Sequence, residues 1–381
     1  MNFRSYEIKD ICKIKSGKRL PKGTDFSEKP TKHKYIRARD IKNGKIDGSD
    51  LGYISEEIHK KIAHYIVNTN DIIITIAGTI GEVALVSKKF DGVNLTENAV
   101  RLTEFSKDVC PGFLAYILKS LERKEYMEQV AGGSAQPKLG IYKIEAIKVD
   151  LPDIQIQHKI ADILSAYDDL IENNQKQIKL LEEAAQRLYK EWFVDLRFPG
   201  HENTKIVDGV PEGWSRGLLK ELISVNYGKD HKKAPDDGNI PVYGSGGLMR
   251  KCNKSLFSGE AVLIPRKGSL NNIMYVDETF WTVDTMFYAT MKQPHTAVFV
   301  YFFVKAFDMY SMNIGAAVPS MTTKILDAMD VVIPDKETLE KFDKYAKVYF
   351  NKIKTLQGQN ERLKTARDLL LPKLMSGEVE G

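Results

Sequence analysis

The chain has 381 residues, 43% of them hydrophobic, and carries 56 basic against 51 acidic side chains for a formal charge of +5. That is enough apolar material for folded cores, which excludes wholesale disorder, and the length suits two domains of ordinary size. Cys12, Cys110 and Cys252 are odd in number and scattered, which excludes a disulfide framework or cysteine-based metal spacing. The first residues lack the apolar core of a signal peptide, and the longest apolar runs, such as Ile72 to Ile76, are far too short to span a bilayer. A reducing, cytoplasmic location with no membrane contact is the expectation.

In chain order, residues 1–152 predict a mixed, strand-rich domain. Short apolar beats at Ile8, Ile11 and Ile14 end at Ser16-Gly17-Lys18. Lys34 to Ile41 alternates in part and turns at Asn43-Gly44. Asp71 to Ile76 predicts a buried strand closed by Gly78-Thr79-Ile80-Gly81, with Val83 to Val86 as its neighbour, and Pro111 to Gln129 predicts one helix. A first long helix is expected over 153–197 and a linker over 198–208.

Residues 209–334 repeat this order. Leu218, Leu219, Leu222 and Val225 end at Tyr227-Gly228-Lys229, Glu260 to Ile264 matches the first buried strand, and Ala297 to Met309 matches the helix after Pro111. A second long helix is expected over 335–377. Gly133-Ser134-Ala135-Gln136-Pro137 recurs as Gly315-Ala316-Ala317-Val318-Pro319, and both this proline pair (137 and 319) and the next (152 and 334) are offset by 182 residues. The middles differ: copy one has Arg37 and Arg39 on a strand, copy two a glycine-rich turn at Pro241 to Gly247. Two copies of one unit suit a target that is itself two-part, and duplex DNA is the commonest such target.

The long helices carry coiled-coil spacing. Tyr167, Ile171, Asn174, Ile178, Leu181, Ala185, Leu188 and Trp192 step by four and three, and so do Tyr349, Ile353, Leu356, Asn360, Leu363, Arg367, Leu370 and Leu374. Each seam holds one Asn. If the helices run antiparallel and Asn174 meets Asn360, then Ile171 faces Leu363, Ile178 faces Leu356, Leu181 faces Ile353 and Ala185 faces Tyr349. The alternative leaves either Asn in water at the edge of the seam.

No catalytic signature is present. There is no phosphate-binding Gly-x-x-x-x-Gly-Lys-Ser/Thr loop, no Gly-x-Gly-x-x-Gly opening a helix, no Asn/Asp-Pro-Pro-Tyr/Phe segment and no His-Glu-x-x-His, and the seven histidines do not cluster. No metal site is expected. What remains are basic and amide residues at the turns of the scaffold. Copy one offers Lys18, Arg19, Arg37, Arg39, Lys42, Asn43, Lys45, Lys88, Lys89, Gln136 and Lys138. Copy two offers Lys229, His231, Lys232, Lys233, Tyr243, Ser245, Arg250, Lys251, Arg266, Lys267, Asn271, Asn272 and Lys324. Arg, Asn and Gln can clamp base edges in bidentate fashion, whereas Lys mainly meets phosphate.

The order of these features, twice over, resembles the specificity (S) subunits of type I restriction–modification systems. The segments that carry the resemblance are Ile8–Lys18, Tyr35 to Gly44, Gly78 to Gly81, Gly133–Lys138, Leu151 to Gln157, Ile240 to Gly247 and Leu371 to Gly377. The resemblance implies an α+β fold in which two strand-rich target-recognition domains are joined by two long helices pairing as an antiparallel coiled coil. Each domain would read one half of a bipartite, asymmetric site in double-stranded DNA. The chain would be non-catalytic. Two methyltransferase (M) subunits using S-adenosylmethionine would methylate adenine, and restriction (R) subunits using ATP and Mg would cleave. Copy two departs from the pattern at Pro334 to Glu340, which lacks the Gln-Ile-Gln of copy one. A stand-alone DNA-binding regulator and a duplicated enzyme of unrecognised type are the rival readings.

Overall fold

The structure, a computed structural model, describes residues 3–132, 137–312, 320–376 and 378. It divides into two compact units, Met1–Glu172 with Glu361–Gly381, and Asn173–Asn360.

In the first unit an antiparallel sheet runs in the order Lys13–Ser16, Ala99–Thr103, Ile72–Thr75, Val83–Leu85. Ile72, Ile73 and Ile74 are all fully buried because both faces are covered. Ile72 and Ile74 pack with Phe113, Leu114 and Ile160 of the helices, whereas Ile73 points to the opposite core of Ile36, Ile41 and Val67. This is the period-two alternation of a strand. A second sheet joins Gly52–Ile54, His33–Ile36 and Asn94–Leu95, the last pair in parallel. Ile41–Lys42 and Lys45–Ile46 form a hairpin through Asn43 (φ 52°) and Gly44 (φ 76°), the two left-handed residues that such a two-residue loop demands.

The single helix predicted over Pro111 to Gln129 is two helices, Pro111–Lys119 and Leu121–Val130. Ser120 has extended ψ, and its hydroxyl accepts the amide of Arg123, so it starts a new helix instead of continuing the old one. Ile8–Ile11 is a one-turn helix between strands Arg4–Glu7 and Lys13–Ser16, so the apolar beats at Ile8 and Ile11 lie on a helix and Ile14 on a strand.

The second unit holds one six-stranded sheet in the order Ile223–Tyr227, Met286–Met291, Phe257–Pro265, Met274–Thr282, Ile240–Gly244, Gly247–Cys252. Met274–Thr282 pairs antiparallel to Phe257–Pro265 with one end and parallel to Ile240–Gly244 with the other. Val262 and Ile264 face one core and Ala261 and Leu263 the other. The helix predicted over Ala297 to Met309 ends at Lys305.

The first long helix is Ile154–Tyr189, continued by a π-turn at Lys190–Val194, and the second is Lys336–Ser376. Within the second unit they run antiparallel: as numbering rises from Asn174 to Trp192, partners fall from Asn360 to Phe342. Asn174 donates to Asn360 at 2.9 Å, and both amides are buried. A lone Asn in the seam would cost stability, and the pair removes that cost while fixing register. Ile353, Leu356 and Ala185 are buried, Ile178, Leu181, Leu188 and Tyr349 half-buried. The π-turn brings Trp192 and Phe193 onto Phe342, with Tyr189 on Phe302, in an aromatic cluster. Within the first unit the same antiparallel sense holds, with Asp168 bonded to Arg367. There Ile171 is buried, Tyr167, Leu363 and Leu370 are half-buried, and Leu374 sits in the core with Ile160 and Leu164.

Gln157 explains the departure between copies. Its buried side chain accepts the amide of Cys110 and donates to the carbonyls of Asp108 and Pro152. The position 182 residues on is Leu339, buried among apolar neighbours, and there Asp335 takes up the capping, bonding Thr338 and the indole of Trp214. Gln157 is therefore an internal brace that copy two replaces with an apolar plug.

Candidate nucleic-acid interface

The two copies share a frame of hydrogen bonds that the sequence only hinted at. In copy one the amide of Gly17 donates to Ala99 (3.1 Å) and that of Lys18 to Leu95 (2.8 Å). In copy two Gly228 donates to Met286 (3.0 Å) and Lys229 to Thr282 (2.9 Å). A Cβ on Gly17 would overlap the carbonyl of Thr96, and one on Gly228 the carbonyl of Val283, so each turn requires glycine for close backbone approach. A buried aromatic donor then fixes the lysine carbonyl: Tyr35 reaches Lys18 at 2.6 Å, and the indole of Trp281 reaches Lys229 at 3.1 Å. Burial pushes the Tyr35 phenol up to about 12, which keeps it a donor.

The neighbouring turns match as well. Ile76 and Ala77 donate to Asn98, as Arg266 and Lys267 donate to Thr285. Leu139 donates to Ile76, as Met321 does to Arg266, both at 2.9 Å. Gly78 and Gly268 share φ 82°. Lys18 thus corresponds to Lys229, and Ile76-Ala77 to Arg266-Lys267.

On this frame the candidate residues separate into two kinds. Some are held internally. Arg37 grips Asp40 through Nε and Nη2 at 2.9 Å and also the carbonyl of Asp50. Arg250 binds Asp236 and the carbonyls of His231 and Ala234, Asn271 bridges Asp308 and the amide of Met309, and Tyr243 donates to Glu278. Lys45 pairs with Glu172, Lys42 with Asp47, Asn43 forms a turn, and Asn272 holds the carbonyl of Ser245. Side-chain donors of Arg37, Arg250 and Asn271 hold loops, so turning those donors to DNA would first cost these bonds. The others project outward. Lys18 lies over the ring of Tyr65 and Lys89 over Phe90, Arg19 pairs with Glu97 at 2.6 Å while its side chain remains 80% exposed, and Arg39 is also exposed. Lys88, Lys138, Lys229, Lys232, Lys233, Lys251, Lys267 and Lys324 are exposed, and His231 is half-buried. Gln136 lies outside the described residues.

Three residues were missed by sequence reasoning. Tyr65 seats Lys18, Glu97 steers Arg19, and Tyr227 stacks under Arg266 with 5.4 Å from guanidinium carbon to ring centroid. Tyr227 directly precedes Gly228-Lys229, so its adjacency to the repeated turn was the available signal. Among the described residues no cluster of His, Cys, Asp and Glu could hold a metal ion, and no helix is long and apolar enough to cross a membrane.

This doubled frame has a counterpart among known proteins: the chain matches the type I restriction modification DNA specificity domain over residues 2–183 and again over 211–365. The chain belongs to that family. It is 26% identical to the type I restriction enzyme MjaIX specificity subunit of Methanocaldococcus jannaschii, over 86% of this chain and 81% of the relative. It is 24% identical to the HindI specificity subunit of Haemophilus influenzae, over 71% and 78%. The crystal structure of the type I restriction–modification S subunit from M. genitalium shares the fold, with a TM-score of 0.66 at 20% identity over 98% of this chain and 96% of that one. The two specificity-domain matches coincide with the two strand-rich copies, each extending into its long helix.

Proposed function

We propose that this chain is the sequence-specific DNA-recognition subunit of a type I restriction–modification complex. Each copy reads one half of a bipartite, asymmetric site in double-stranded DNA, and partner subunits carry out adenine methylation and cleavage. The observation that carries this reading is the repeated glycine–lysine turn, kept to individual hydrogen bonds while the side chains around it differ. Lys18 and Lys229 meet phosphate at equivalent positions and set register, and the unlike neighbours, Arg19 and Arg39 against Arg266 and the glycine-rich hairpin, read unlike sequences.

The chain itself is non-catalytic and needs no cofactor. Two methyltransferase subunits with S-adenosylmethionine dock on it and take the flipped adenine into their own pockets, and restriction subunits with ATP and Mg complete the complex in the cytoplasm. The stand-alone regulator requires no partner, and the enzyme reading requires a convergent acid, base or metal set. Single-molecule methylome sequencing of a host with and without this chain, expressed beside its methyltransferase, tests the reading. A new methyl-adenine motif of two unequal blocks with a fixed unread gap is expected. Absence of any new motif, with the methyltransferase expressed and bound, overturns it in favour of the stand-alone binder.

A further inference from the structure

In copy two the strands Ile240–Gly244 and Gly247–Cys252 form a ribbon whose register slips at Val242/Tyr243: Tyr243 faces Leu248 and Val242 faces Arg250, leaving Met249 as the extra residue. Successive residues of a regular strand point to opposite faces, so one of a consecutive pair is normally covered. The bulge breaks that rule, and Leu248 and Met249 are 60% and 54% exposed side by side. They follow a turn, Ser245-Gly246-Gly247, in which Gly247 has φ 111° and a Cβ on Gly246 would meet open space. The turn is braced from behind: Asn272 donates to the carbonyl of Ser245, and a Cβ on Gly268 would lie 2.6 Å from the Ser245 hydroxyl oxygen.

That bracing ties the apolar tip to the candidate interface. Gly268 directly follows Arg266-Lys267, and Arg266 stacks on Tyr227, itself 53% exposed, beside Gly228-Lys229. Lys229, Lys232, Lys233, Lys251 and Lys267 surround the ribbon, all exposed and none in an ion pair among the described residues. The acidic residues of the same loops are engaged: Asp230 caps its own turn, Asp236 binds Arg250 and Asp237 binds Asn253. An apolar pair within such a cationic rim suits a polyanion with apolar surfaces of its own, which is the description of stacked bases behind phosphates. Among the described residues copy one has no counterpart. Ser16 stands where Tyr227 does, Ile76 where Arg266 does, and its strand His33–Ile36 leads into a helical turn, Ala38–Asp40, in place of a ribbon.

We propose that Leu248 and Met249 are an apolar wedge that enters a base step in the half-site read by copy two, unstacking it, so that this half-site is recognised partly through how readily its DNA deforms. The proposal rests on the DNA-recognition reading above. It is tested with the full chain bound to its methyltransferase, on a duplex carrying the motif found by methylome sequencing and on a scrambled duplex. End-labelled duplexes report bending by energy transfer, and 2-aminopurine placed through the copy-two block reports unstacking. The parent complex is expected to bend the motif duplex and brighten 2-aminopurine at one step away from the methylated adenine, whose flipping brightens its own position independently. Leu248→Ser with Met249→Ser abolishes both signals and weakens binding on the order of tenfold, the scale of one lost base-pair contact. Leu248→Phe, which retains an apolar edge, preserves both. Bending and unstacking unchanged in the double serine variant overturn the wedge, as does a parent complex that binds the motif with straight, stacked DNA. So does loss of methyltransferase binding in the serine variant, which reassigns the patch to a protein contact. Weakening reproduced by replacing thymine with uracil, without any bend, also overturns it in favour of methyl contact. Failure of the parent to prefer the motif over the scrambled duplex overturns instead the recognition reading on which the wedge depends.

Discussion

The strand that crosses copy two runs unbroken for nine residues, Met274–Thr282, and welds its sheet into one. In copy one the corresponding stretch is cut into Val83–Leu85 and Asn94–Leu95 by the turn at Lys88–Phe90, and two separate sheets result. The cores differ too: copy two packs aromatic rings against the helices, with Tyr189, Trp192, Phe193 and Phe342 in one cluster, whereas copy one packs Ile160, Leu164 and Leu374. Yet the glycine–lysine turns agree bond for bond. Sheet continuity and core composition can drift because many apolar sets fill a volume. A turn in which a carbonyl occupies the space of a Cβ has no such latitude. What persists between the copies is the device that presents a lysine, and what varies is what surrounds it.

The largest expected effect probes that shared device. Gly17→Ala and Gly228→Ala each force a Cβ onto a carbonyl oxygen, and each should destabilise its own unit by ~3 kcal/mol, at the upper end for overpacking. Thermal or denaturant unfolding of the two variants should show similar losses. A large loss in one and none in the other breaks the equivalence of the turns.

A second effect concerns the seam. Asn360→Leu strands the buried Asn174 amide and should cost about 2 kcal/mol, whereas Asn174→Leu with Asn360→Leu should recover most of that stability. Equal losses in the single and double variants would show that the amide pair does not act as a unit. Smaller again is Tyr35→Phe, which removes one hydrogen bond to the Lys18 carbonyl and should cost about 1 kcal/mol of the first unit's stability.

A change of opposite sign, stabilising at neutral pH, contrasts two lysines that end corresponding helices. Lys119 lies over Tyr116, and burial pulls it from its ordinary 10.5 down to about 8; Lys305 lies over Tyr301 but is exposed. Because the folded value is depressed, the cost of burying the charge is fully present below about pH 8 and is relieved as pH rises towards 10.5. Lys119→Met should therefore stabilise the chain at pH 7, in part offset by the lost ring contact, and the advantage should shrink through that window. Lys305→Met, at the exposed position, is the matched control for loss of the ring contact. Melting temperatures of each variant relative to parent across pH 7 to 10 check this.

Periodicity made the long helices and their seam legible, since four-and-three spacing kept over many turns is the mark of helices paired along one apolar stripe. It also indicated the two Asn residues, although whether they met depended on helix direction, which spacing alone does not set. The helix break at Ser120 escaped because apolar spacing continues past it and the decision is made by one hydroxyl cap. At the candidate interface, sequence offered residue types without commitments. Nothing in Arg37 or Arg250 announces that Asp40 or the His231 carbonyl already holds it, because those partners are set by loop geometry. Conversely nothing in the sequence marks Tyr227, Leu248 or Met249: a bulge leaves Leu248 and Met249 exposed, and Arg266 stacks on Tyr227.

Equivalent turns carrying unlike edges should each read their own half-site. This is tested most directly by methylome sequencing of cells that express the parent chain, Arg19→Ala with Arg39→Ala, or Arg266→Ala with Lys267→Ala, each beside the same methyltransferase. Each double variant is expected to relax one block of the methylated motif and leave the other block and the gap unchanged. Relaxation of both blocks by either variant, or of neither block by both, would contradict it.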